Sequence, residues 1–341
     1  MQADQPSDTP PRLCLDPLTE RPVFVAPQRG GKPADRDLVA AAHDDRRGPL
    51  SWCPFCAGNE HRTPPAVVRM PVDEDAVWRA RIVPNRYPIT CGPATLAAGA
   101  SMPTGESPAR GIHEVVIESP RHERSILAVP PDEWRGVWDM CRRRLEMLAD
   151  SGLAWATVFK NSGPRAGASL EHVHSQLVAV EIVPPAIRAE LAALDAGADP
   201  FARLLATART EGRVVAETAE LVAFVPPAPR QPFETWLVTR EPVRHLHASP
   251  PAAVAELAML TRDVVTRLEK LAPGCHYNWW LHQAPYGRSP GEHEATCRWH
   301  WHLEILPRLT ELAGFELGTG CHIATVSAAE SARRLREAGD G

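Results

Sequence analysis

Hydrophobic and polar positions along the chain follow two spacings, which predict strands and helices in turn. Short runs rich in β-branched and aromatic residues, such as VVIE, ATVF and TWLV, are bounded by Pro, Gly or Ser and predict strands. Apolar residues three and four positions apart predict two long helices, one from Trp134 to Leu148 and the other from Val254 to Leu268. A Pro-Pro pair opens each helix, as proline favours the first helical turn.

This order of elements occurs twice along the chain. The first copy fills about residues 75–180 and the second about 215–308, and both run strand, Pro-rich turn, strand, long helix and strand before a final strand with an HxH motif. The closing segments are LEHVHSQLVAV and CRWHWHLEILP. We therefore predict an α+β fold of tandem duplicated domains, each an antiparallel sheet with one long helix.

The predicted domains leave extensions around the two copies. A chain of 341 residues exceeds the roughly 250–300 residues that one hydrophobic core usually serves. We place a disordered leader at 1–12, an N-terminal domain at 13–182 and a C-terminal domain at 183–341. A helical link from Val183 to Thr210 joins the copies, and a closing helix follows Ser327.

Composition and charge exclude several classes of protein. A chain that is 44% hydrophobic and 23% charged is neither collagenous nor wholly disordered. A net charge of −5 gives no basic footprint for nucleic acid, and no run of 18 apolar residues is present to span a membrane. The start, MQADQPSDTPPR, lacks the features of a secretory signal, so we expect a cytoplasmic protein. Its eight cysteines then favour metal binding or catalysis over disulfides.

Cys53 and Cys56, in LSWCPFCAGNE, predict half of a zinc site, because two thiolates at this spacing can bind one tetrahedral ion. The alternative is a redox dithiol or two buried cysteines, but a thioredoxin-like site needs a βαβ context that this loop lacks. The best candidates for the other ligands are His122 and His172, with His113 as the rival of His122. Such a set is typical of a structural zinc, since no position stays open.

His172 and His174 alternate along a predicted strand, so their side chains face the same side. The preceding loop, FKNSGPRAGAS, has backbone amides that can cradle phosphate oxygens, and Gln176 can donate to them as well. An isolated HxH motif is more often structural or metal-binding than catalytic. Among phosphate-binding donors, however, His174 is typical of a nucleophile that captures a phosphoryl or nucleotidyl group.

The second copy carries its own histidine set. His300 and His302 stand at the matching positions, and His282 stands where the first copy has Asn161. With a carboxylate from Glu190, these three histidines predict a second metal site. The alternative is that they are remnants of a duplicated site.

Several motifs in one order resemble the galactose-1-phosphate uridylyltransferase family, the nucleotidyltransferase branch of the histidine-triad superfamily. The resemblance covers about residues 13–325 and rests on CPFCAGNE with RTPP, IVPNRYP, GIHEVVIESPRHE, FKNSGPRAGASLEHVHSQ and WWLHQAP…WHWHLEI. It implies duplicated histidine-triad-like domains and a ping-pong reaction. In that reaction a histidine attacks the α-phosphorus of a nucleotide sugar such as UDP-glucose, releases a sugar 1-phosphate and passes the nucleotidyl group to a second phosphate acceptor.

The resemblance also assigns roles by position. It implies that His174 is the nucleophile and that His122, rather than His113, completes the zinc site with Cys53, Cys56 and His172. The implied phosphate and nucleotide contacts are Arg29, Asn85, Asn161, Ser169 and Gln176, with Ser169 and Gln176 also assisting catalysis. A second metal, Fe or Zn, would match Glu190, His282, His300 and His302.

One motif departs from the family pattern. Typical uridylyltransferases carry HPHGQ, whereas this chain has HVHSQ, with Ser175 in place of glycine. That serine and the late GFELGTGCHI segment look closer to ADP-glucose phosphorylase-like members, although the second CxxC of the plant-type branch is absent. The leading hypothesis is a hexose-1-phosphate nucleotidyltransferase, expected to be a homodimer. The alternatives are a nucleotide-sugar phosphorylase that uses phosphate and a non-catalytic nucleotide-binding protein.

Overall fold

We describe the protein from a computed structural model. The residues that the structure describes are 10, 12–15, 22–25, 50–71, 77–92, 105–195, 199–286, 296–311, 314–319, 322 and 324–340. The predicted leader, apart from Pro10 and Arg12, and the predicted contact Arg29 lie outside these residues.

Both kinds of element occur in the predicted order. Strands β1 to β13 are Arg12–Leu15, Pro22–Val25, Val68–Met70, Ala80–Pro84, Glu106–Pro108, Gly111–Ile117, Trp155–Ser162, His174–Val180, Val214–Glu217, Leu221–Phe224, Thr235–Thr239, Tyr277–His282 and His302–Pro307. Helices α1 to α6 are Pro131–Ala149, Pro185–Asp195, Pro200–Thr210, Pro251–Leu271, Gly314–Thr319 and Ala328–Asp340. The two long helices and the closing helix are confirmed, and the predicted helical link consists of α2 and α3.

Ten strands form one antiparallel sheet, in the order β3-β4-β6-β8-β7-β12-β13-β11-β10-β9, while β2, β1 and β5 form a small separate sheet. From either edge inward the two halves follow the same element order, with α1 between β6 and β7 in the chain and α4 between β11 and β12. Strands β7 and β12 join the halves, with Phe159 opposite Trp280. The antiparallel α+β fold is confirmed, and the two predicted sheets are halves of one sheet. The domain boundary after residue 182 stays a prediction.

The long helices cover one face of this sheet. Helix α1 begins at Pro131, where the fixed φ of proline suits the first turn. Its buried side includes Trp134 and Trp138, whose rings lie 5.9 and 6.2 Å from that of Trp279 in β12. Nε1 of Trp134 donates to Oγ1 of Thr261 in α4 at 3.0 Å, which ties the two helices together. No helix among the described residues is long and apolar enough to cross a bilayer.

Side chains of β8 alternate between two cores, and this alternation places the site. Leu177 and Ala179 pack in the core beneath α1 and α4, whereas Val178 packs in a second core with residues of α2 and α3. Because successive strand residues point to opposite faces, His174 and Gln176 share the face of Val178. They therefore lie on the side of the sheet away from the long helices.

Candidate active site and metal centres

Two cysteines and two histidines from separate segments converge beside the start of β8. Nδ1 of His172 lies 3.5 Å from Sγ of Cys53 and 3.6 Å from Sγ of Cys56. Nδ1 of His122, which follows β6, lies 3.5 Å from Sγ of Cys56. All four side chains are buried, and their donor atoms lie within 4.8 Å of one another. The structure thus brings together the four residues that the sequence predicts as zinc ligands.

This donor set fits a tetrahedral zinc ion. Bond lengths of about 2.3 Å to sulfur and about 2.0 Å to nitrogen give a tetrahedral edge of about 3.5 Å between them, which matches the measured separations. Nε2 of His172 donates to the main-chain oxygen of Ser119 at 2.9 Å, so Nδ1 is the nitrogen with the lone pair. Burial lowers the pKa of His172 to about 3 and that of His122 to about 4, which keeps both rings in the neutral, ligating form.

His174 is the first residue of β8 and lies directly beyond this Cys/His cluster. Its Nδ1 donates to the main-chain oxygen of His172 at 2.7 Å, so Nε2 carries the lone pair. The side chain is 7% exposed, and the ring of Phe55 lies 5.3 Å from it between centroids. One short segment therefore supplies a candidate metal ligand and also fixes the tautomer of the predicted nucleophile.

A buried ion pair supports the main chain of His174 from the opposite face of the sheet. Nζ of Lys160 donates to Oε2 of Glu118 at 2.5 Å and to the main-chain oxygen of His174 at 2.7 Å. Oγ of Ser175 donates to the other Glu118 oxygen at 2.5 Å. Burial lowers the pKa of Lys160, although the adjacent Glu118 opposes this shift. Either charge alone would be costly in the interior, so the two side chains stay paired. Their hydrogen bonds to His174 and Ser175 then hold the start of β8 in one position.

His174 lines a pocket on the outer face of the sheet, and three of the predicted phosphate and nucleotide contacts line it as well. These are Asn85, Ser169 and Gln176. Asn161 does not line this pocket: its Oδ1 accepts a hydrogen bond from Nδ2 of Asn278 at 2.8 Å. The pocket combines apolar walls with amide and hydroxyl groups near His174, as a site for a nucleotide and its phosphates requires.

Sequence reasoning missed several residues of this pocket. Phe55 lines the pocket and stands between Cys53 and Cys56, so its place inside the predicted zinc motif was a signal for it. The other lining residues lie within the motifs that carry the family resemblance, but sequence reasoning assigned them no role. They are Pro54, Arg62, Thr63, Pro64, Val83, Pro84, Arg86, Tyr87, Val115 and Leu170.

A second cluster of candidate ligands lies in the C-terminal half and comprises Glu190, His282, His302 and Glu304, with donor atoms within 4.8 Å of one another. Nδ1 of His282 lies 2.7 Å from Oε1 of Glu190, and Nε2 of His302 lies 3.6 Å from Oε1 of Glu304. Oε2 of Glu190 and Nε2 of His302 are buried without a hydrogen-bond partner among the described residues, which fits a cation between them.

The membership of this second cluster differs from the prediction in one residue. His300 is not among the four, and its Nδ1 donates to the main-chain oxygen of Thr239 at 2.7 Å. Glu304 takes that place. Burial would raise the pKa of Glu304, but the adjacent His302 and the charge of Arg230 lower it to about 2, so it is a carboxylate. The sequence held a signal, because Glu304 follows His302 at the same parity, as Gln176 follows His174.

Comparison with known proteins identifies the family. A model of the galactose-1-phosphate uridyl transferase N-terminal domain matches residues 104–184, and a model of a domain of unknown function, DUF4921, matches residues 148–338. ADP-glucose phosphorylase from Arabidopsis thaliana is 31% identical, over 98% of this chain and 95% of its own length. The chain belongs to the galactose-1-phosphate uridylyltransferase family. It is therefore an enzyme of the nucleotidyltransferase class.

Two further similarities extend over nearly the whole chain. Galactose-1-phosphate uridylyltransferase from Thermotoga maritima is 26% identical, over 95% of this chain and 98% of its own length. The crystal structure of the Arabidopsis thaliana ADP-glucose phosphorylase with bound ADP-glucose has a TM-score of 0.71 at 30% identity, covering 96% of this chain and 99% of that one. The family fold thus spans both halves of this nucleotidyltransferase.

Proposed function

We propose that this nucleotidyltransferase moves a nucleoside monophosphate from a nucleotide sugar to a phosphate acceptor through a covalent intermediate on His174. The observation that carries the proposal is the tautomer of His174. Its Nδ1 is held by the main-chain oxygen of His172, and its ring lines the pocket with Gln176 and Ser169. A non-catalytic nucleotide-binding protein would have no need of a nucleophile held in this way.

The two half-reactions follow from this geometry. Nε2 of His174 attacks the α-phosphorus, a nitrogen–phosphorus bond forms, and the bond to the bridging oxygen breaks, so that a sugar 1-phosphate leaves as a stable anion. In the second step a phosphate oxygen of the acceptor attacks the same phosphorus, and His174 leaves. Little proton transfer is needed, so the site mainly has to stabilise charge on the transferring oxygens. We assign this role to Gln176 and Ser169, which line the pocket together with His174.

We propose an adenylyl group and inorganic phosphate as the preferred nucleotidyl group and acceptor. This choice is supported by the 31% identity with ADP-glucose phosphorylase over almost the full chain. The second candidate is uridylyl transfer between UDP-glucose and a hexose 1-phosphate, which the match of residues 104–184 to the uridyl transferase domain favours. Both candidates use His174 in the same way, and they differ in the base and in the acceptor.

A substrate panel separates the two candidates. UDP-, ADP-, GDP- and dTDP-glucose are each incubated with phosphate, glucose 1-phosphate or galactose 1-phosphate, and the products are separated by chromatography. We expect ADP-glucose with phosphate to give ADP and glucose 1-phosphate at the highest kcat/KM. Fastest turnover with UDP-glucose and galactose 1-phosphate would instead establish the second candidate. No transfer from any donor by zinc-loaded protein would contradict both.

We further propose zinc at the first cluster and a second metal, Fe or Zn, at Glu190, His282, His302 and Glu304. The zinc would crosslink three segments and hold His172, whose main-chain oxygen orients His174. It has no part in bond making, because four protein ligands leave no open position.

Metal analysis tests the second cluster. The purified protein should contain two metal ions per chain. His282→Ala should lose the ion of the second cluster and keep the zinc ion of the Cys/His cluster. His247→Ala is the matched control, since His247 lies in the turn Leu246–Ala248 and belongs to neither cluster. A second ion that persists in His282→Ala would place it elsewhere.

A further inference from the structure

We propose that His113 is a positioning residue that fixes the side-chain amide of Gln176, so that its N–H groups, and not its oxygen, face the phosphates of the substrate. The proposal rests on the proposed function, since it gives Gln176 a phosphate to bind. His113 was the rival zinc candidate in the sequence, yet it is not among the residues of the Cys/His cluster. From its position in β6, His113 contacts the main chain of Ile89 and the side chain of Gln176.

The tautomer of His113 is set by the main chain. The side chain is 5% exposed, and the main-chain N–H of Ile89 donates to its Nδ1 at 3.1 Å. A peptide N–H can only donate, so Nδ1 has to be the accepting nitrogen. In the neutral ring, the proton is therefore on Nε2.

This proton decides the orientation of Gln176. Nε2 of His113 lies 2.9 Å from Oε1 of Gln176, and it donates to that oxygen. A glutamine amide can otherwise rotate by half a turn and exchange its oxygen and nitrogen with little change in shape. With the oxygen held by His113, the NH₂ group is directed elsewhere, and Gln176 lines the same pocket as His174. The chain of hydrogen bonds runs from Ile89 through His113 to the substrate side of Gln176.

Asn85 lies beside His113, but the main chain orients its amide. The main-chain N–H of Tyr87 donates to Oδ1 of Asn85 at 2.8 Å, so the nitrogen of this amide is also assigned by the backbone. Nδ2 of Asn85 lies 3.0 Å from Nε2 of His113. Because both nitrogens carry protons, this contact is between two donors and is not a hydrogen bond. Asn85 thus lines the same pocket with an amide that is oriented by Tyr87 and not by His113.

A double-mutant cycle tests whether His113 acts through Gln176. His113→Phe keeps an aromatic ring but removes the donor, so the Gln176 amide can turn its oxygen toward a phosphate. We expect kcat for nucleotidyl transfer to fall roughly 10- to 100-fold, with a smaller change in KM. In a Gln176→Ala background the same substitution should change kcat by less than about 3-fold. His113→Gln, which can still donate to Oε1, should recover part of the loss.

The control is Val116→Ala, because Val116 lies in the same strand but packs in the core beneath the long helices. It should lower thermal stability, and its effect on kcat should add to that of Gln176→Ala. If the effect of His113→Phe on kcat also adds to that of Gln176→Ala, His113 is a structural residue and the proposal is wrong. The proposal is equally wrong if His113→Gln recovers none of the lost kcat. If the wild type transfers no nucleotidyl group at all, the proposed function fails first, and the two failures are thereby told apart.

Discussion

The substitution His174→Ala is expected to abolish nucleotidyl transfer while leaving the fold and the metal content intact. The imidazole is the only group proposed to bond to phosphorus, so both half-reactions should slow together, on the order of 10⁵-fold in kcat. The protein should still fold, because the main-chain oxygen of residue 174 keeps its bond to Lys160 and the proposed zinc ligand His172 is unchanged.

Isotope exchange measures this loss without knowledge of the acceptor. In a ping-pong reaction, labelled glucose 1-phosphate enters the nucleotide sugar in the absence of any other substrate, because the nucleotidyl-enzyme reacts backwards. The wild type should show this exchange, together with an acid-labile nucleotidyl adduct, and His174→Ala should show neither. The control His247→Ala removes a half-buried histidine that does not line the pocket and should retain both signals. Near-normal turnover of His174→Ala would rule out the covalent mechanism.

Three of the four proposed zinc ligands carried a strong local signal in the sequence. Cys53 and Cys56 form a CxxC in a Pro-flanked loop, and His172 belongs to an HxH motif. The choice between His113 and His122 could not be made from spacing, since both lie near the same predicted strand. It depends on the face of the sheet and on the turn after β6, where Pro120 accepts from the N–H of Ala57 at 2.9 Å and holds the cysteine loop close to His122.

The parts that sequence reasoning missed depend on contacts between distant segments. The pairing of β7 with β12 makes one sheet of the two predicted ones, and it joins strands more than a hundred residues apart. Neither strand carries a residue pattern that identifies the strand it pairs with. Glu304 was overlooked because an acidic residue in a strand usually faces solvent. In the structure this side chain is 3% exposed and forms an ion pair with Arg230. The bond from Ile89 to His113 is a main-chain contact of a loop, for which no side-chain motif exists.

Removal of a proposed zinc ligand is expected to act mainly on stability, in contrast to removal of the proposed nucleophile. Cys53→Ala should release the zinc, because three ligands bind it far more weakly, and should lower Tm by roughly 10 °C. The cluster ties the loop at residues 53–56 to the turn after β6 and to the start of β8, so its loss leaves His122 and His172 buried without a partner ion. Burial raises the pKa of the Cys53 thiol to about 12, so without a metal ion this side chain is a protonated thiol.

Calorimetry with metal analysis separates this effect from catalysis. Cys91→Ser is the matched control, since Cys91 is an exposed thiol outside the cluster, and it should keep both the zinc and the Tm of the wild type. At a temperature well below its Tm, Cys53→Ala should retain far more activity than His174→Ala, because His174 keeps its hydrogen bond to the main-chain oxygen of His172. A Cys53→Ala variant with full zinc and unchanged Tm would refute the assigned ligand. One that is stable but as inactive as His174→Ala would show that the metal takes part in the reaction itself.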